Sequence, residues 1–284
     1  MFFFLPGYYT ATTRLGTLKQ RIAFVSTYFI PCAITFFSQF SFNHHSLSAY
    51  FLTVLAVYTV YEIGYIYNDL ELVKREVAPT VRVSAIESAF YEKNKTLIYL
   101  VRGGWVLCVL AILRTITPVL FPNIIFTIVI IAVFFTWHNK LRNRYSILLY
   151  GVLAFARYLG FILLFINWVD AIWTFFAITL CSIIEFSNKE KYSLHTIPRS
   201  ITTDQFRVYY LVLLGISCHL LSIPLTMLFY YLLIYRGISL CIAPYYRCLA
   251  TKRPKFHRHR SIAVHNLGKM SERVTLHETT PDKH

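Results

Sequence analysis

The sequence predicts an all-α protein: a polytopic bundle of transmembrane helices around a central cavity open to the cytoplasmic side. Three observations carry this. Hydrophobic residues fill 56% of the 284 positions and the mean hydropathy is +0.53. Only 14% of residues are charged, against about 25% in an average soluble domain. Apolar runs near spanning length, about 20 residues, recur along the chain, and the basic residues fall on alternate connections between them. A soluble enzyme with a polar shell, two soluble domains on a linker and a disordered chain are thereby excluded.

Residues 1–21 form an N-terminal segment. Its Phe2-Phe3-Phe4-Leu5 run is too short to span and has no basic residue before it, so it reads as an interfacial anchor rather than a signal peptide. The bundle occupies 22–245, with eight spans expected at 22–39, 48–67, 97–114, 118–136, 145–166, 168–187, 206–222 and 224–245; a ninth would have to be hidden. Thr117-Pro118, Asn167-Trp168 and Ile223-Pro224 mark tight hairpins, where proline is tolerated because a helix start has no use for its missing N–H. Residues 246–284 form a basic tail that reads as disordered and suited to anionic headgroups.

Arg14, Lys19 and Arg21 precede the first span. Lys74, Arg75, Arg82, Lys93 and Lys95 follow the second, Lys140, Arg142 and Arg144 the fourth, and Lys189, Lys191 and Arg199 the sixth. The opposite connections carry no Lys or Arg, so both termini are expected in the cytoplasm. The formal net charge of +15 then reflects membrane topology and lipid contact, and no nucleic-acid partner is expected. The six scattered cysteines include no CxxC pair and read as small core hydrophobes.

Acids are scarce, and their placement is informative. Asp69, Glu71, Glu76, Glu87 and Glu92 cluster after the second span, with Glu62 just before them. Spaced by seven, Glu62, Asp69 and Glu76 share one face if the helix continues. Carboxylates converging at the mouth of a bundle suit Mg²⁺ carrying phosphate oxygens. An ordinary charged loop, with Lys74 and Arg75 paired to the acids, fits equally. Arg102 and Arg157 lie inside spans, where an arginine needs a partner or a wet cavity. An anionic substrate is one such partner; a structural ion pair with Glu62 or Glu185 is the other.

Tyr67-Asn68-Asp69 resembles the first Asp-rich motif, NDxxDxxxD, of the UbiA-type intramembrane prenyltransferase superfamily. Trp137-His138-Asn139-Lys140-Leu141 resembles the Tyr-Ser-x-x-Leu-Lys segment of that family. The run from Gly151 through Arg157 to Gly160 resembles the fifth helix of its decaprenyl-phosphate phosphoribosyltransferase branch. Here the first motif reads NDxxLxxxE: Leu72 replaces an Asp and Glu76 the last Asp. The second Asp-rich motif is absent, and Glu185 to Tyr192 looks more like the basic element of the phosphoribosyl branch.

The resemblance implies Mg²⁺ held by Asn68, Asp69 and Glu76, with Asp69 and Glu76 catalytic. Lys140, Arg157, Lys189 and Lys191 would bind the phosphates of a phosphoribosyl pyrophosphate-like donor, and a polyprenyl-phosphate lipid would accept the transferred group. A prenyltransferase using a prenyl diphosphate and an aromatic or other acceptor is the alternative enzyme. A non-catalytic lipid-binding homologue is the third reading, to which Leu72 lends weight.

Overall fold

The computed structural model describes residues 2–75, 81–141, 143–188, 192, 194, 196–198 and 200–251, with the side chains of Arg75 and 243–251 left out. It is all-helical, with no strand among the described residues. A short helix α1 (Tyr8–Thr13) precedes eight longer ones. These are α2 (Leu18–Phe37), α3 (His44–Leu72), α4 (Ala85–Ile116), α5 (Phe121–Lys140), α6 (Ser146–Ile162), α7 (Trp168–Ser187), α8 (Thr203–Leu220) and α9 (Met227–Thr251). Each expected span overlaps one helix, α2–α9 in order, with shifted ends. Five of them (α2, α3, α4, α5 and α7) are long and apolar enough to cross a membrane. Helix α6 is shorter, and α8 begins with Asp204 and Arg207.

The starts are set by local chemistry. Thr17 with Gln20, Asn43 with Ser46, Ser84 with Glu87 and Thr202 with Gln205 form reciprocal caps on α2, α3, α4 and α8. Each satisfies two N–H groups that the helix itself cannot. Pro122 lies in the first turn of α5, and the Asn167 side chain accepts from the Asp170 N–H at the start of α7. The carboxylate of Asp170 in turn accepts from Ser38, Gln39 and Asn167 at 3.0, 2.9 and 2.7 Å, tying the end of α2 to α7.

The main core is aromatic and aliphatic: Tyr28, Phe36, Tyr50, Leu113, Phe161 and Trp173 are each at most 3% exposed. Cys32, Cys181 and Cys218 are buried free thiols, as expected of small apolar fillers, whereas Cys108 and Cys241 are exposed and do not fill the core; the side chain of Cys248 lies outside the described ones. Three wide π-turns interrupt the helices, at Val25–Phe29, Asn68–Leu72 and Phe175–Leu180. Such turns carry one extra residue and often sit at functional positions. The first contains Tyr28 and the second begins at Asn68-Asp69. The chain divides into two units, Met1–Cys241 and Ile242–His284.

Candidate functional site

The acids of α3 meet the chain's own N-terminal segment. Glu62 and Asp69 share a face, as their spacing requires, and both are buried. Glu62 accepts from the backbone N–H of Gly7 at 2.7 Å and of Thr10 at 2.8 Å, and from Arg102 Nη1 at 2.5 Å. Arg102 also donates through Nε to the Phe3 carbonyl at 2.6 Å. Glu62 and Arg102 side chains are both 0% exposed. The structural ion pair is therefore the reading that applies to Arg102.

Asp69 is more heavily committed. Arg14 Nη2 reaches both of its oxygens, at 2.9 and 2.7 Å; Arg82 donates at 2.9 Å, Tyr9 Oη at 3.0 Å and Asn68 Nδ2 at 3.2 Å. The Arg14 guanidinium lies 3.8 Å over the Tyr65 ring. Burial, and then the adjacent Asp69 carboxylate, push the Tyr9 phenol above its usual range. Mg²⁺ needs open oxygen positions. In this arrangement Asp69 offers none that two guanidinium groups do not already fill. Leu72 is buried, and no group of three His, Cys, Asp or Glu able to hold a metal occurs among the described residues. The residues described do not fit the ion that the resemblance implies. Glu76, expected as the second acid, lies outside the described residues.

Within residues 2–14, Leu5 and Tyr8 stay exposed while the segment docks on α3 and α4. Phe3 is 1% and Tyr9 0% exposed, and they pack with Ile66, Leu70, Tyr91 and Ile98 of α3 and α4. Gly7 makes the docking possible: its φ of +78° is a left-handed turn that glycine adopts without strain, and its N–H meets Glu62. The outer acids are paired as an ordinary charged loop would have them. Lys74 contacts Glu71 and Glu92, and Lys95 contacts Glu71.

Arg157 behaves differently. No carboxylate pairs with it among the described residues. Its guanidinium carbon lies 5.1 Å from the Tyr28 ring centroid and 5.0 Å from those of Tyr61 and Tyr158. A lone arginine in a span costs about 2.5–3.5 kcal/mol. Each cation–π contact returns about 0.5–2 kcal/mol. Three rings therefore offset most of the burial cost without neutralising the charge. Two polar atoms there, Arg157 Nε and Tyr28 Oη, are buried without a hydrogen-bond partner. Glu185, the acid considered for Arg157, instead takes Arg207 at 2.5 and 2.8 Å.

Sequence reasoning passed over Arg207 and Arg236. Arg236 lies on α9 within electrostatic reach of Arg207 and Glu185, and packs 5.2 Å from the Tyr235 ring. The signal was present: a lone arginine in an apolar run, as at Arg157. Lys140 sits at the last turn of α5 beside Tyr67 and Asn139, exposed and without an ion pair among the described residues. It lines a groove between α3, α4 and α5, apart from the Arg157 rings. Lys189 and Lys191 lie outside the described residues.

These features define an all-helical protein with five helices long and apolar enough to cross a membrane, and with a half-buried cation facing tyrosines inside the bundle. No protein-family model, curated protein or solved structure matches the chain.

Proposed function

We propose that this is an integral membrane protein of UbiA-like plan that binds a polyprenyl-phosphate lipid within its bundle. We further propose that it acts as a transferase on that lipid when the N-terminal segment releases Asp69. In this reading α2–α9 cross as eight spans, the basic connections face the cytoplasm and both termini lie there. The observation that carries it is Arg157, a charge kept inside the bundle by aromatic faces instead of an acid, with an unused N–H donor beside the unused Tyr28 hydroxyl. A phosphate fits both, because guanidinium is the side chain best matched to phosphate oxygens.

The reaction supported by the resemblance transfers a phosphoribosyl group. A lipid phosphate oxygen forms a bond to the anomeric carbon of the donor as the carbon–oxygen bond to pyrophosphate breaks, and pyrophosphate leaves. The non-catalytic reading is favoured by a separate observation, the double arginine hold on Asp69. One assay separates the readings. The full chain and its Arg14→Gln variant are given phosphoribosyl pyrophosphate, Mg²⁺ and polyprenyl phosphate, and pyrophosphate release is followed. Release dependent on the lipid, faster in Arg14→Gln, is the expected result. Release only with a prenyl diphosphate would move the assignment to the prenyltransferase reading. Lipid binding without turnover in both proteins would leave the non-catalytic homologue.

A further inference from the structure

A groove of about 660 Å³ runs between α3, α4 and α5. Val60 and Gly64 form its floor, Gly103 and Leu107 one wall, and Ile128 and Phe135 the other. The space exists for a reason in the sequence: a Cβ built on Gly103 meets nothing within 4 Å, so the glycine leaves the wall hollow. On the floor the opposite holds, since a Cβ at Gly64 would come 2.5 Å from the Phe135 ring, which packs down over the glycine. Phe135 meets Tyr61 edge-on and Tyr61 receives Arg157, but neither Arg157 nor any of its three tyrosines lines the groove, so the two are separate.

One end is polar. Tyr67, Tyr99, Asn139 and Lys140 line it, and no acid does. From Ile128 to Lys140 the α5 wall measures about 18 Å at 1.5 Å per residue. Half of a bilayer's hydrocarbon core is about 15 Å. The groove is thus one leaflet long, apolar along its length and cationic at the end nearest the basic connection that carries Arg144.

We infer that this groove holds one acyl chain of an anionic glycerophospholipid from the cytoplasmic leaflet, with the headgroup phosphate at Lys140 and the tyrosine hydroxyls at the interface. The leaflet-matched length and Lys140, which has no ion pair among the described residues, favour a bilayer phospholipid over a longer polyprenyl chain. The inference rests on the membrane reading but not on the transferase reading.

The test is native mass spectrometry of the full chain in mild detergent, with phosphatidylglycerol and phosphatidylcholine of identical acyl chains. Wild type should retain phosphatidylglycerol about fivefold better, the equivalent of about 1 kcal/mol for one basic residue at an anionic surface. Lys140→Gln should abolish that preference. Gly103→Leu puts a side chain into the hollow, where its Cβ meets nothing within 4 Å, and should remove one bound lipid of either kind. The phosphatidylglycerol preference should be the same with and without saturating polyprenyl phosphate, which separates failure here from failure at the Arg157 site. An unchanged preference in Lys140→Gln, or unchanged retention in Gly103→Leu, would overturn the inference. So would displacement of phosphatidylglycerol by polyprenyl phosphate, or a Gly103→Leu effect that proves to be loss of a dimer.

Discussion

Replacing Arg102 with leucine tests how the N-terminal segment is held. Arg102 and Glu62 are both fully buried and 2.5 Å apart, and the arginine also ties down the Phe3 carbonyl at 2.6 Å. Arg102→Leu leaves a carboxylate with only the Gly7 and Thr10 N–H groups for company. Removing one partner of a buried pair costs about 3–5 kcal/mol. Converted to an equilibrium, that is a factor of about 10²–10⁴. The double variant Glu62→Leu/Arg102→Leu removes the stranded charge but orphans two backbone donors, at about 1–3 kcal/mol each. It should recover part of the loss and no more. Trypsin cleavage after Arg14 reports release of the segment, because that side chain is held by Asp69 in the docked state. Thermal unfolding of the purified protein reports the rest. Cleavage and unfolding indistinguishable from wild type in Arg102→Leu would refute the argument.

Three further expectations follow from the same contacts. Asp69→Asn should release the segment as well as abolish any turnover, since Arg14 and Arg82 lose their shared counter-charge; the trypsin assay should show faster cleavage at Arg14. Tyr9→Phe should flatten the alkaline loss of docking. The buried phenol binds its proton more tightly than a free one, so its contribution is intact below about pH 10 and falls as pH rises beyond that; cleavage rates in the variant should rise less steeply across that range. Gly64→Val should destabilise by about 1–3 kcal/mol, because the Phe135 ring occupies the space its side chain needs, and thermal unfolding should show it.

The helices were legible because hydropathy and the break residues act locally. Pro118, Asn167 and Pro224 mark hairpins whatever packs around them, and Thr17-Gln20 or Ser84-Glu87 cap a helix from within four residues. The shared face of Glu62 and Asp69 was legible for the same reason. What they face was not. Phe2-Phe3-Phe4-Leu5 looks the same in sequence whether a membrane surface or a cleft between α3 and α4 receives it. The segment docks on α3 and α4 because Arg102 and Glu62 offer buried partners for its backbone. The π-turn at Asn68 likewise leaves no hydropathy mark. A candidate partner for Arg102 was already visible in Glu62, whereas pairing Arg207 with Glu185 required the three-dimensional path of α8.

The most direct test of the central claim is equilibrium binding of a labelled polyprenyl phosphate to wild type, Arg157→Lys and Arg157→Leu. A charge-assisted hydrogen bond contributes about 1.5–3 kcal/mol, so Arg157→Leu should bind about 10- to 150-fold more weakly while accumulating as folded protein, and Arg157→Lys should fall between. Equal affinity in all three, or failure of Arg157→Leu to fold, would assign this arginine to the architecture and leave the bundle without its phosphate site.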